Sequence, residues 1–297
     1  MRAHIIFLLL VASLATACAG DAPKSDQRNF TLQGQVLSID AAGKSAQIKH
    51  EEIKGFMPGM TMPYDVRDPK LLEGLSPGDL ITATLVIESN AAYLSTVHRT
   101  GTAPIEAPPA EAPAPSASSG FELLKPGEQV PDGTFVDQDG RARDFKSFAG
   151  RPVVITFMYT KCPMPTFCPF LDRNFAAIQK SLETDPAVAA LKGNVHLVSV
   201  SFDPLTDTPA VLKEHAAKLQ ADPRVWTFLT GDRDEIDQFG ARFGVQVSRN
   251  VDKAIDITHN LRTAIVDASG RLVTTYVGNE WTAEQVLNDL KPIVGAN

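Results

Sequence analysis

With 297 residues, 43% hydrophobic and 21% charged, the chain has the make-up of packed globular protein and room for two domains of ordinary size, so neither wholesale disorder nor a membrane bundle is expected. Its formal net charge is -7 and it has no Lys/Arg-rich run, which argues against a nucleic-acid partner because phosphate neutralisation needs clustered positive charge.

The first residues, MRAHIIFLLLVASLATACAG, place Arg2 ahead of an apolar run from Ile5 to Ala12 and then small residues. That is the layout of a secretory signal, and the run is too short to span a bilayer. The end of this segment, Leu14-Ala15-Thr16-Ala17-Cys18, resembles a bacterial lipobox, with Ala15 where leucine is usual. The resemblance implies a signal over 1–18, a lipid on Cys18 that anchors the chain to a membrane from the periplasm, and a polar tether over 19–28. Cleavage nearby without lipidation would leave a soluble periplasmic protein. With Cys18 consumed, one cysteine pair remains in an oxidising compartment.

Over 29–100, FTLQGQVLSID and KSAQIKH alternate about the turn Ala41-Ala42-Gly43, and MTMPYDV and DLITATLVIE follow, with a short helical turn at Pro69 to Leu72. Short strands with almost no helical period predict a small all-β barrel, since closure removes exposed edges. The segment FMPGMTM holds Met57, Met60 and Met62. Met60 and Met62 stand two apart, so on a strand both thioethers face one side, and His50 ends the preceding strand with the parity of Ile48. Thioethers with an imidazole form a soft donor set for Cu(I) or Ag(I) that disulfide formation cannot remove. Core packing is the plainer reading of the same methionines.

Residues 101–120, GTAPIEAPPAEAPAPSASSG, read as a linker that is semi-rigid where prolines cluster. After it, over 121–297, strands and helices alternate: RPVVITFMYT, FLDRNFAAIQKSL, VHLVSVSFD, PAVLKEHAAKLQ, VWTFLTG, DEIDQFGARFG, the hairpin TAIVDASGRLVTTYV and the helix TAEQVLNDLKPIV. This order predicts a mixed central sheet with parallel pairs and helices on its faces, the outline of a thioredoxin-like fold. KCPMPTFCP, with Cys162 and Cys168 separated by five residues, falls between the first long strand and its helix. A helix start favours thiolate, so such cysteines bind metal or react. A structural disulfide, a redox pair and half of a metal site all remain open on spacing alone. His98, His196 and His215 read as solvated or core residues, whereas His259 sits in a loop before the hairpin, at the end of the domain that can reach the cysteines. Asp203 and Asp207 read as a strand end and a helix cap.

Residues from about 123 to 294 resemble the Sco family of copper chaperones, on the strand VVITFMYT leading into the Cys-Pro segment, on SFDPLTDTP, and on the lone His259. The resemblance implies copper ligation by Cys162, Cys168 and His259; the loop between the cysteines is longer than is common in that family. Residues from about 30 to 99 resemble the CusF-like copper-binding domain, an OB-type barrel, which implies ligation by His50, Met60 and Met62. Met57 stands where that family often has a capping tryptophan and is a further candidate ligand. Two thiolates with an imidazole also suit Cu(I) on chemical grounds, since Zn(II) normally takes a fourth ligand. The expectation is therefore a copper metallochaperone rather than an enzyme, one that delivers Cu(I) to an apo-cuproprotein such as a cytochrome c oxidase subunit. The rival is a thiol-disulfide oxidoreductase using Cys162 and Cys168 to keep a partner's copper-binding cysteines reduced. Passive copper storage would need no cysteine pair.

Overall fold

The computed structural model describes residues 27–40, 42–105, 122–249 and 257–294. The expected signal with Cys18 and most of the expected linker lie outside the described residues. Among those described, no helix is long and apolar enough to cross a membrane.

The first unit is all β. Strands β1 (Arg28–Ile39), β2 (Ser45–His50), β3 (Met60–Asp65), β4 (Asp79–Ile87) and β5 (Ala92–Thr102) form one antiparallel sheet in the order β3-β2-β1-β4-β5. The alternation read from the sequence is the alternation of burial: Ala46, Ile48 and His50 of β2 all point inward. The closure expected of a barrel is not formed by paired strands: among the described residues the two ends of the sheet meet at an isolated bridge, Val66 to Leu94, where Arg67 N donates to Leu94 O at 3.0 Å. Strand β5 runs two residues into the expected linker. Ala103 N donates to Gly78 O at 2.9 Å and Gln35 Nε2 donates to Ala103 O at 2.8 Å, which holds the chain against the sheet there.

The second unit is α/β and thioredoxin-like. Its strands are β6 (Thr134–Asp137), β7 (Ala142–Asp144), β8 (Val153–Met158), β9 (His196–Ser201), β10 (Trp226–Thr230), β11 (Val247–Arg249), β12 (Ile257–His259), β13 (Arg262–Val266) and β14 (Leu272–Val277). Seven of them form a sheet in the order β14-β13-β8-β9-β10-β6-β7, with β8, β9 and β10 parallel, while β11 and β12 pair separately. Every residue of β8, β9 and β10 is buried, as expected where helices cover both faces. The helices are α1 (Cys168–Thr184), α2 (Pro209–Lys218), α3 (Arg233–Arg242) and α4 (Ala283–Val294). Helix α1 buries Leu171, Phe175, Ile178 and Leu182, a spacing that forms one stripe at 3.6 residues per turn. Asp232 starts α3 by accepting from the amides of Asp234 and Glu235.

His196 occupies the core role expected of it: Nε2 lies 2.8 Å from Thr227 Oγ1 and the ring stacks on Phe148. Burial, with the charges of Arg151 and Arg143, lowers its pKa from 6.5 to about 3. Below pH 6.5 the unfolded chain takes up a proton that the folded chain refuses, so stability falls with pH through this window. Between pH 7 and 5 the loss from this site is about 2 kcal/mol. Urea unfolding at both pH values should show His196→Gln losing less stability than wild type by that amount; equal losses would contradict the assignment.

Candidate metal centre

Strand β8 leads out of the middle of the sheet, so the segment after it emerges at the carboxyl end of the parallel strands, where α/β folds build their sites. Asp207 fixes the start of that segment. Its carboxyl group is fully buried and accepts from Thr160 N at 2.9 Å, from Thr160 Oγ1 and from Ser201 Oγ at 2.6 Å. The reading of Asp207 as a helix cap is thereby corrected: Thr208 caps α2 by accepting from Val211 N, and Asp207 turns inward to tie β9 to the residues before Cys162. Further along, Arg173 Nη2 donates to Pro165 O at 2.8 Å and Asn279 Nδ2 donates to Thr166 O at 2.9 Å. The loop is pinned at both ends.

Cys162 and Cys168 are free thiols. Together with His259 they place three donor atoms within 4.8 Å of one another, the only such group of three or more His, Cys, Asp or Glu among the described residues. Cys168 Sγ lies 3.8 Å from His259 Nε2. The loop expected around His259 is in fact the short strand β12, with His259 opposite Val247 of β11. Neighbouring Asn260 pins it, accepting from Gln246 N and donating to Gly244 O, each at 2.9 Å. The imidazole packs 4.5 Å from Phe202 and edge-on to Tyr159, and its Nδ1 lies 3.0 Å from Asn260 O. An Nδ1-H donated to that carbonyl leaves the Nε2 lone pair facing the thiols.

The two thiols differ. A hydrogen bond from Cys168, helped by His259, holds the half-buried Cys162 well below the ordinary thiol range. Burial and the neighbouring Cys162 push Cys168 well above it, although it begins α1. Desolvation outweighs the helix dipole at Cys168.

In the first unit, His50 is the register partner of Met60, and Ile48 that of Met62, so His50, Met60 and Met62 share the inner face. His50 Nδ1 lies 2.7 Å from Glu51 O, and Tyr64 stands edge-on to its ring at 5.6 Å. Met57 accepts from the Tyr64 hydroxyl, with Sδ 3.7 Å away. Gly34, opposite His50, makes room for the strand pair: a Cβ there would come within 2.7 Å of Lys49 O and 2.9 Å of His50 Cα.

One cavity of about 770 Å³ is lined by Met57, Met60 and Met62 from the first unit and by Cys162, Met164 and His259 from the second. The sequence alone gives no sign that Met164 lines this cavity, and it places Asp207 at the wrong task. Pro163 and Pro165 on either side of Met164 were a visible signal for a stiff, projecting segment.

Residues 125–295 match the family model described as SCO1/SenC, and residues 29–99 match that described as copper binding periplasmic protein CusF. The SCO1 protein homolog of Bacillus subtilis (strain 168) is 28% identical over 160 residues, covering 53% of this chain and 79% of that protein. The mitochondrial SCO2 homolog of Bos taurus is 25% identical over 163 residues, 54% of this chain and 58% of its own length. A crystal structure of a SCO1/SenC family lipoprotein from Bacillus anthracis str. Ames superposes with a TM-score of 0.50 at 28% identity, covering 58% of this chain and 99% of that one. The soft donors gathered at the cavity and the copper-binding model matched by residues 29–99 agree on copper as the metal. Because the SCO1/SenC model spans more than half of its length, the chain belongs to the SCO1/SenC family.

Proposed function

We propose that this chain is a periplasmic copper metallochaperone, anchored through lipidated Cys18. It captures Cu(I) on His50, Met60 and Met62 and holds it on Cys162, Cys168 and His259 for delivery to an apo-cuproprotein. The copper centre of a cytochrome c oxidase subunit is the recipient favoured by the family. The observation that carries this reading is the convergence of two thiols and an imidazole within 4.8 Å, two of which, Cys162 and His259, line a cavity shared with the methionines. Thiolates are the stronger soft donors, so Cu(I) runs from thioether to thiolate while the cysteines are reduced. A tether between the units gives an effective concentration around the millimolar range. Metal analysis tests the proposal: the reduced full chain should hold copper at both sites, and the chain with a Cys162–Cys168 disulfide only at the methionine site. Equal copper in the two samples would refute it.

The unlike thiols favour a second reading. A low Cys162 beside a buried Cys168 is also how a thiol-disulfide oxidoreductase arranges an attacking and a resolving sulfur. His259→Ala separates the readings, since it should remove copper binding at the cysteines while leaving disulfide exchange with a small dithiol largely intact.

A further inference from the structure

Met164 belongs to the cysteine segment by sequence and to the barrel by packing. It is 5% exposed and sits in the hydrophobic cluster of the first unit, with Met57, Met62 and Ile53, rather than in the core of its own unit. Cys162 touches both clusters. The chain between them is stiff: Pro163 has a fixed φ, and Met164 precedes Pro165, which confines it to extended conformations. Its base is held by the Arg173 and Asn279 hydrogen bonds to Pro165 and Thr166. A leucine would fill the same volume, and a lone buried methionine is ordinarily packing. Here the thioether lines the same cavity as Met57, Met60 and Met62, a soft donor carried into a set of soft donors.

We infer that Met164 is a ligand of the methionine site, so that the barrel's Cu(I) site is completed by a thioether from the cysteine loop. This rests on the reading of the barrel as a Cu(I) site. Copper bound there lies on a residue two positions from Cys162, and the Met164 carbonyl oxygen is 3.9 Å from Cys162 Sγ. Passage onward is a ligand exchange: one copper-thioether bond breaks as one copper-thiolate bond to Cys162 forms, and copper stays Cu(I) throughout.

The test uses the full chain carrying Cys162→Ser and Cys168→Ser, so that only the methionine site binds, with methionine methyl groups labelled for NMR and Ag(I) as probe. On one equivalent of Ag(I), the Met60, Met62 and Met164 methyl signals should shift. Met158, fully buried in the other core, should not. Met164→Leu, which keeps the volume and the docking, should weaken Ag(I) binding by at least about tenfold, the scale seen when even an outer partner of a metal site is lost. If Met60 and Met62 respond while Met164 stays still and Met164→Leu binds like its parent, Met164 is only a plug and the inference fails alone. If no methyl responds, the barrel is not a soft-metal site and the underlying reading fails with it.

Discussion

Cu(I) affinity at the cysteine site is expected to fall by roughly a hundredfold or more in each of Cys162→Ser, Cys168→Ser and His259→Ala. Four-ligand zinc sites bind with about 10–16 kcal/mol, or roughly 3 kcal/mol per ligand, and a three-ligand site has no spare donor to make good the loss. His259 is the most telling of the three, because its neighbours leave it nowhere else to go. Phe202 and Tyr159 hold the ring, Asn260 O takes Nδ1, and Nε2 faces Cys168. Alanine removes the donor but leaves Asn260 to keep β12 in place through Gln246 and Gly244. Competition with a Cu(I) chelator of known affinity measures the effect. A His259→Ala chain that competes like wild type would remove the imidazole from the site.

Asp207→Ala should cost about 3–5 kcal/mol of stability, the range for breaking a buried hydrogen-bond network and stranding its donors. Three donors, from Thr160 N, Thr160 Oγ1 and Ser201 Oγ, lose their acceptor in a fully buried setting. Thr160 stands two residues before Cys162, so the same substitution loosens one end of the cysteine loop. Asp207→Asn keeps the volume and one acceptor oxygen and should cost less. Denaturant unfolding gives the stability, and the Cu(I) competition assay on the folded fraction gives the effect on the loop. An Asp207→Ala chain as stable as wild type would mean that the network contributes little.

The elements that could be read from the sequence were those whose pattern is local. FTLQGQVLSID, QIKH and MTMPYD carry their alternation in their own residues, and they fold as β1, β2 and β3 with His50 and Met60 in register. The stripe of α1 and the run of β8, apolar but for Thr156, announced a helix and a buried strand in the same way. Strands β6 and β7 are too short for any period to show, and β5 hides its pattern because most of its outer half is exposed on both faces. The two residues that shape the cysteine loop were hidden for another reason. Asp207 finds its partners on β9 and after β8, and Met164 finds its neighbours in the other unit. Nothing adjacent in sequence marks either environment. Proline placement hinted at a stiff loop around Met164, but which core it would enter is a fact of tertiary structure.

One chain is expected to hold Cu(I) on methionines or on cysteines according to the redox state of Cys162 and Cys168. X-ray absorption at the copper edge tests it on two samples of the full chain, each with one equivalent of Cu(I) under anaerobic conditions. One sample has reduced cysteines and the other a disulfide formed beforehand. The first should show thiolate and imidazole ligation and the second thioether and imidazole ligation, with copper retained by both. Copper that stays on thioethers while the cysteines are reduced, or that leaves the protein once they are oxidised, would contradict it.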